Sequence, residues 1–129
     1  MKRLIHAIVF CVIAFSITAQ AAESRVVEMY QCKLEEGKKM EEVAAANGKW
    51  LAFVNGAVEG GDIHSYALES IVGDTTGFMF VDTYPGRIAW ATAKEALDTE
   101  AGKAAEAGFE GLFECSSNRL YKSTQHTSS

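Results

Sequence analysis

Residues 62–84, DIHSYALESIVGDTTGFMFVDTY, decide the topology. Segments 62–72 and 78–84 are rich in β-branched and aromatic residues, and the five residues between them, Gly73-Asp74-Thr75-Thr76-Gly77, are turn formers. The pattern predicts a β-hairpin. Upstream, residues 38–54 change period: Met40, Val43, Ala44, Trp50, Leu51 and Val54 fall on one stripe of a 3.6-residue helix, which Asn55-Gly56 and Glu59-Gly60-Gly61 close. Downstream, Pro85-Gly86 precedes a second helix over 87–97, with Ile88, Ala89, Trp90, Ala93, Ala96 and Leu97 on its apolar side. Asp98 or Thr99 is placed to cap a further helical piece reaching Ala107.

The outermost segments, 25–34 (RVVEMYQCKL) and 112–122 (LFECSSNRLYK), read as strands. The order is then β-α-β-β-α-β. This is the ferredoxin-like arrangement, an α+β fold with one antiparallel sheet and both helices on one face. First and last strands are neighbours in that topology. Setting Cys32 opposite Cys115 makes paired residue numbers sum to 147, and Glu28 then meets Arg119, Val26 meets Tyr121, Val27 meets Leu120 and Lys33 meets Glu114. Opposite charges and apolar pairs fall together, as cross-strand pairing favours. The Glu28–Arg119 pair reads as a structural ion pair, and the cysteines as bridged either directly or on a diagonal.

The chain has 129 residues, 48% hydrophobic and 22% charged, which suits one packed domain. A net charge of −5 argues against binding nucleic acid through its phosphates, because there is no basic surplus to displace counterions. Met1-Lys2-Arg3, an apolar run from Leu4 to Ile17 and the Ala19-Gln20-Ala21 exit have the layout of a secretory signal peptide over residues 1–21. The run is shorter than the roughly 20 residues a membrane-spanning helix needs. Cleavage would leave one domain over 22–122 and a polar tail over 123–129, with 10 basic against 17 acidic residues. It would also remove Cys11, leaving Cys32 and Cys115 as an even pair in an oxidising compartment, periplasmic or extracellular, and so as one disulfide. No membrane attachment is expected after cleavage.

With both helices on one side, the other face of the sheet is open. The expected register and the mixture of rings and charges put Glu28, Tyr30, Cys32, Cys115, Ser117, Arg119 and Tyr121 on that open face. Phe78, Phe80, Asp82 and Tyr84 of the third strand, and His64, Tyr66 and Leu68 of the second, join them. Such a face is too apolar to remain in water and predicts a homodimer.

Two stretches resemble the dimeric α+β barrel superfamily, which includes the antibiotic-biosynthesis monooxygenase-like and NIPSNAP-like domains. Residues 30–38 (YQCKLEEGK) resemble its first strand and the acidic turn into a helix. Residues 80–90 (FVDTYPGRIAW) resemble its third strand running into a helix with an Ala-Trp pair. The resemblance implies a ferredoxin-like dimer and, for some members, oxygenase chemistry. Haem-degrading members bind iron through a histidine on the second helix. Residues 87–107 contain none, so no haem is implied here, and no cofactor is expected.

The catalytic candidates are Asn47, His64 and Asp82. His64 and Asp82, if adjacent across the hairpin, would make a proton-transfer couple; a strand histidine also serves as an ordinary polar surface residue. Asn47 interrupts the apolar stripe of the first helix. It either aims an amide at a cavity or breaks the helix at Asn47-Gly48. Tyr30, Trp50, Tyr66, Phe80 and Arg119 are the candidates for contacting a ligand, with Trp50 and Trp90 also placed in the core. Two histidines and a bridged cysteine pair assemble no metal site in residues 22–129. Three roles are compatible with these residues: binding a small apolar or aromatic molecule or a protein partner through the open sheet face, cofactor-independent oxygenation, and a purely structural dimer.

Overall fold

A computed structural model describes residues 24–126 and 128; the segment read as a signal peptide lies outside them. Strand β1 (Arg25–Leu34) leads through a turn at Gly37, whose φ of 77° suits glycine, into helix α1 (Met40–Ala57). The hairpin follows as β2 (His64–Glu69) and β3 (Gly77–Tyr84). Helices α2 (Arg87–Leu97) and α3 (Glu100–Glu106), a single 3-10 turn (Ala107–Phe109) and strand β4 (Phe113–Ser123) complete the chain. The sheet order is β2-β3-β1-β4, all antiparallel. The ferredoxin-like α+β arrangement expected from the order of elements is present.

Local chemistry accounts for the boundaries. α1 buries Val43, Ala46, Trp50 and Val54, spaced three or four apart, and α2 buries Ala89, Ala93 and Leu97 at intervals of four. The Thr99 hydroxyl accepts from the Gly102 amide at 3.1 Å and starts α3 as its N-cap. Asn55, on the last turn of α1, donates to the Ile63 carbonyl and accepts from the Ile63 amide, both at 2.9 Å, fixing how the chain enters β2. α1 runs unbroken through Asn47-Gly48, so the expected alternative of a helix break there does not occur.

The Cys32–Cys115 disulfide forms between directly paired residues, and Lys33 pairs with Glu114 as expected. Beyond the disulfide the expected register fails. A β-bulge between Gln31 and Cys32 leaves Ser116 as an extra residue on β4, so Gln31 pairs with Ser117 and Glu28 with Leu120. Arg119 pairs with Met29 instead and turns to the opposite face from Glu28; the Glu28–Arg119 ion pair does not form. Val26 and Val27 likewise meet Lys122 and Tyr121 rather than Tyr121 and Leu120.

The assignment of faces is also corrected. Phe78, Phe80, Asp82 and Tyr84 are the buried members of β3, and with Val26, Glu28 and Cys32 of β1 they face the helices. The open face carries Met29, Gln31, Met79 and Val81, with Tyr66 and Leu68 of β2 and, because of the bulge, Ser117, Arg119 and Tyr121 of β4. Tyr30 and Cys115 belong to the helix side. Large rings gain more from burial than the smaller aliphatics they alternate with, and the two carboxylates that accompany them are satisfied internally. Two apolar clusters form: one centres on Trp50, Val54, Ile63 and Tyr84, the other on Val43, Phe78, Phe80 and Leu112. No helix among the described residues is long and apolar enough to cross a membrane.

Candidate functional site

Between the sheet and the helices lies a cavity of about 340 Å³. Its apolar wall is built by Trp50 from α1, Phe80 from β3, Phe109 from the 3-10 turn and Phe113 from β4. Phe80, Phe109 and Phe113 meet edge to face, with centroids 5.4 to 6.1 Å apart, so each ring holds the others in place. Tyr30, Asn47, Asp82, Lys94, Glu106 and Cys115 complete the lining. The volume is within the range of about 300–1,000 Å³ typical of small-molecule sites, and an apolar wall with a few fixed polar groups is their usual composition.

The polar groups form two linked sets. In the first, Glu28, 3% exposed, takes an ion pair from Lys94 at 2.7 Å and hydrogen bonds from the Asn118 amide at 2.9 Å and the Trp90 indole at 3.2 Å. Lys94 also donates to the Tyr30 hydroxyl at 3.0 Å. Burial by itself would raise the Glu28 carboxyl, but the Lys94 and Asn118 contacts together outweigh it and hold the group below the usual glutamate range. In the second set, Asp82, 5% exposed, accepts from the Ser65 hydroxyl, and Ser65 in turn accepts from the Asn47 amide at 2.9 Å. Burial pushes the Asp82 carboxyl up to about 6; the Ser65 bond opposes the rise, and the Glu28 charge adds to it. Burial and the neighbouring carboxylates raise the phenols of Tyr30 and Tyr84. No buried side-chain nitrogen or oxygen among the described residues lacks a hydrogen-bond partner.

Of the candidates read from sequence, Tyr30, Asn47, Trp50, Phe80 and Asp82 converge on this cavity. They do so beneath the helices and not on the open face, where Tyr30, Phe80 and Asp82 were expected. His64, Tyr66 and Arg119 are elsewhere. His64 pairs with Thr83 in the sheet and contacts Asp62 at 2.9 Å; it is Ser65 that stands opposite Asp82, so the His64–Asp82 couple does not exist. Arg119 lines a recess of about 230 Å³ on the open face with Met29, Gln31 and Tyr121. Sequence reasoning missed Lys94, Phe109 and Phe113, and took Glu28 for a partner of Arg119. The signal for Lys94 is its position four residues after Trp90, which sets a cation on the same side of α2 as an inward ring. No group of three or more histidine, cysteine, aspartate or glutamate side chains suited to a metal ion occurs among the described residues.

Chemically, Asp82 is a carboxyl able to exchange a proton near neutrality, while Glu28 remains ionised. Asn47 reaches Asp82 through Ser65 and also faces the cavity. Lys94 supplies a fixed positive charge at the same end.

No protein-family model matches the sequence, and no curated protein does. Among solved structures the fold is similar to SnoaB, a cofactor-independent oxygenase from Streptomyces nogalater, with a TM-score of 0.59 and 10% identity over 80% of this chain and 96% of that one. It is also similar to a conserved protein of unknown function from Bacteroides thetaiotaomicron, a possible oxidoreductase, with a TM-score of 0.51 and 15% identity over 81% and 100% of the two chains. These likenesses concern the fold alone, and they agree with the strand order and helix placement above: the chain has a ferredoxin-like fold.

Proposed function

We propose that this domain binds a small, mainly aromatic molecule in the cavity between sheet and helices, with a hydroxyl or enol of the ligand set against Asp82. The observation that carries this reading is the composition of the cavity: four aromatic rings form its wall, and a buried carboxyl with a nearby lysine closes one end. A flat apolar body would lie among Trp50, Phe80, Phe109 and Phe113, while Asp82 and the amide of Asn47 fix its orientation. We place the protein outside the cytoplasm, on the strength of the disulfide and the leader-like residues 1–21, and as a homodimer through the open sheet face.

The experiment is native mass spectrometry of the protein purified without refolding, followed by fluorescence titration with the molecule it carries. A co-purifying small aromatic mass whose affinity falls at least tenfold in Phe109→Ala supports the reading. An empty cavity that takes up none of a panel of hydroxylated naphthalenes and anthracenes overturns it.

A second reading is favoured by the proton affinity of Asp82: cofactor-independent oxygenation. Here the Asp82 carboxylate would take a proton from an acidic carbon of the bound substrate, and the resulting carbanion would supply the electrons to dioxygen. Overall, a methylene and dioxygen would give a carbonyl and water. Oxygen uptake with anthrone-type substrates, abolished in Asp82→Asn and reduced in Asn47→Ala, is the expected result. Binding without oxygen uptake leaves the first reading alone standing.

A further inference from the structure

A second and larger cavity, about 600 Å³, lies between the start of α2 and the C-terminal half of β4. It exists because no helix covers this part of β4: Leu120 pairs with Glu28 and so faces the helix side, yet is 49% exposed. Trp90 and Leu120 give it an apolar wall, and Arg25, Arg87 and Lys122 line it as well. Three of the chain's twelve basic residues are therefore gathered here, and no acidic side chain among the described residues lines the cavity, in a protein of net charge −5.

The three cations are not equivalent. Arg25 is committed to Asp62 at 2.6 Å and continues to the Thr83 hydroxyl. Arg87 and Lys122 form no ion pair among the described residues. Trp90 lines this cavity and not the central one, and its indole nitrogen donates to Glu28 at 3.2 Å, which fixes the ring. An acidic protein repels anions at long range, so a local cluster of cations beside an apolar wall is a feature that selects a particular anion.

We propose that this cavity is a binding site for a small anionic amphiphile, an aromatic carboxylate in chemical class. The carboxylate lies between Arg87 and Lys122, where the guanidinium can take it through two parallel hydrogen bonds, and the ring lies against Trp90 and Leu120. The site is independent of the ligand proposed for the central cavity, and either can fail without the other.

The test uses 2-naphthoate and its neutral counterpart 2-naphthamide, each titrated into the isotope-labelled protein and followed by amide and indole chemical shifts. Shifts are expected at Arg87, Trp90, Ala91, Leu120 and Lys122, with the amide binding at least tenfold more weakly than the acid. The double variant Arg87→Glu, Lys122→Glu should weaken naphthoate at least tenfold; both side chains are exposed, so its spectrum should otherwise match the parent. The charge-retaining pair Arg87→Lys, Lys122→Arg should stay within a few-fold, which separates charge from shape. Shifts confined to Phe80, Phe109 and Phe113, equal binding of the amide, or no shift up to millimolar naphthoate would each overturn the proposal.

Discussion

Glu28 and Asp82 stand directly opposite each other across β1 and β3, both turned toward the helices and both withdrawn from water. Facing side chains on adjacent strands are separated by about 5 Å, where like charges repel. One cation, Lys94, sits with them, and it is in contact with Glu28 at 2.7 Å. The environment therefore separates the two acids: Glu28, with Lys94, Asn118 and Trp90 around it, keeps its charge, while Asp82, with a single hydroxyl donor, holds its proton to about 6. A charged acid beside a proton-exchanging one is an arrangement found where proton transfer is carried out.

The separation has a signature in stability against pH. Folded Asp82 keeps its proton up to about 6, whereas an unfolded aspartate loses it near pH 4. Between these values the unfolded chain binds fewer protons, so the contribution of Asp82 is complete below about pH 4 and is lost as pH rises through 6. The raised carboxyl corresponds to about 3 kcal/mol at most. Glu28 works in the opposite sense and in a lower window: its contribution is present above the ordinary glutamate range and is lost as pH falls below it. Urea unfolding at intervals from pH 4.5 to 8 should show Asp82→Asn gaining stability on the parent as pH rises, by about 2 kcal/mol at most across the range. Parallel curves for the two proteins would mean that Asp82 titrates as an ordinary carboxyl.

The bulge at Ser116 decides which β4 side chain meets Glu28, and this too can be measured. Asn118→Ala removes the donor to Glu28 Oε1 and leaves a buried carboxylate oxygen unpartnered, a loss of about 1–3 kcal/mol. In a double-mutant cycle with Glu28→Gln, Asn118→Ala should couple by at least about 0.5 kcal/mol, while Arg119→Ala adds independently. The register without a bulge predicts the reverse, with Arg119 coupled and Asn118 not.

These residues also mark what the sequence discloses. The order of elements, the Cys32–Cys115 pairing and the extent of α2 are legible because periodicity, turn residues and cysteine count act locally or leave a single solution. The bulge is not legible, because a one-residue insertion in β4 leaves the alternation of 112–122 looking regular from either side of Ser116. The buried face of the sheet is hard to read for a related reason: both faces of β3 carry apolar residues, and Asp82 resembles a surface residue until Ser65 and Asn47 are seen to satisfy it. Tyr30, Asn47, Trp50, Phe80 and Asp82 are nonetheless legible as candidates: Asn47 interrupts the apolar stripe of its helix, and the others are large rings or a carboxylate within apolar segments. Lys94 needed the three-dimensional contact with Glu28 to be distinguished from any helical lysine.

The tight junction between α2 and α3 gives a further test. Gly102 is buried, and a methyl group there would fall against the backbone of Ala96 and Leu97. Backbone cannot yield as a flexible side chain does, so Gly102→Ala should cost about 3 kcal/mol or more despite the better helix propensity of alanine. Thermal unfolding would register the loss. An unchanged midpoint would mean that α3 packs less closely on α2 than its backbone contacts indicate.

The proposed dimer makes the last prediction. Tyr66 and Leu68 are each 53% exposed on the open face, beside Val81 and Met79, and Tyr121 is exposed at its other side. Residues so placed gain by being covered, and a stable interface needs about 1,200 Å² or more of buried surface, an area a four-stranded face can offer. Light scattering at micromolar concentration should return twice the chain mass for the parent. Leu68→Arg should return a single chain mass with an unchanged circular dichroism spectrum, because the substituted side chain contributes to the interface and not to the two apolar clusters beneath the helices. A parent that is monomeric at that concentration would leave the open face unpaired and would refute the dimer, while the central cavity, lined by residues of one chain, would keep its proposed ligand. A dimer that survives Leu68→Arg would instead place the interface along the exposed edge strand β4, where Leu120 and Tyr121 are the next positions to charge.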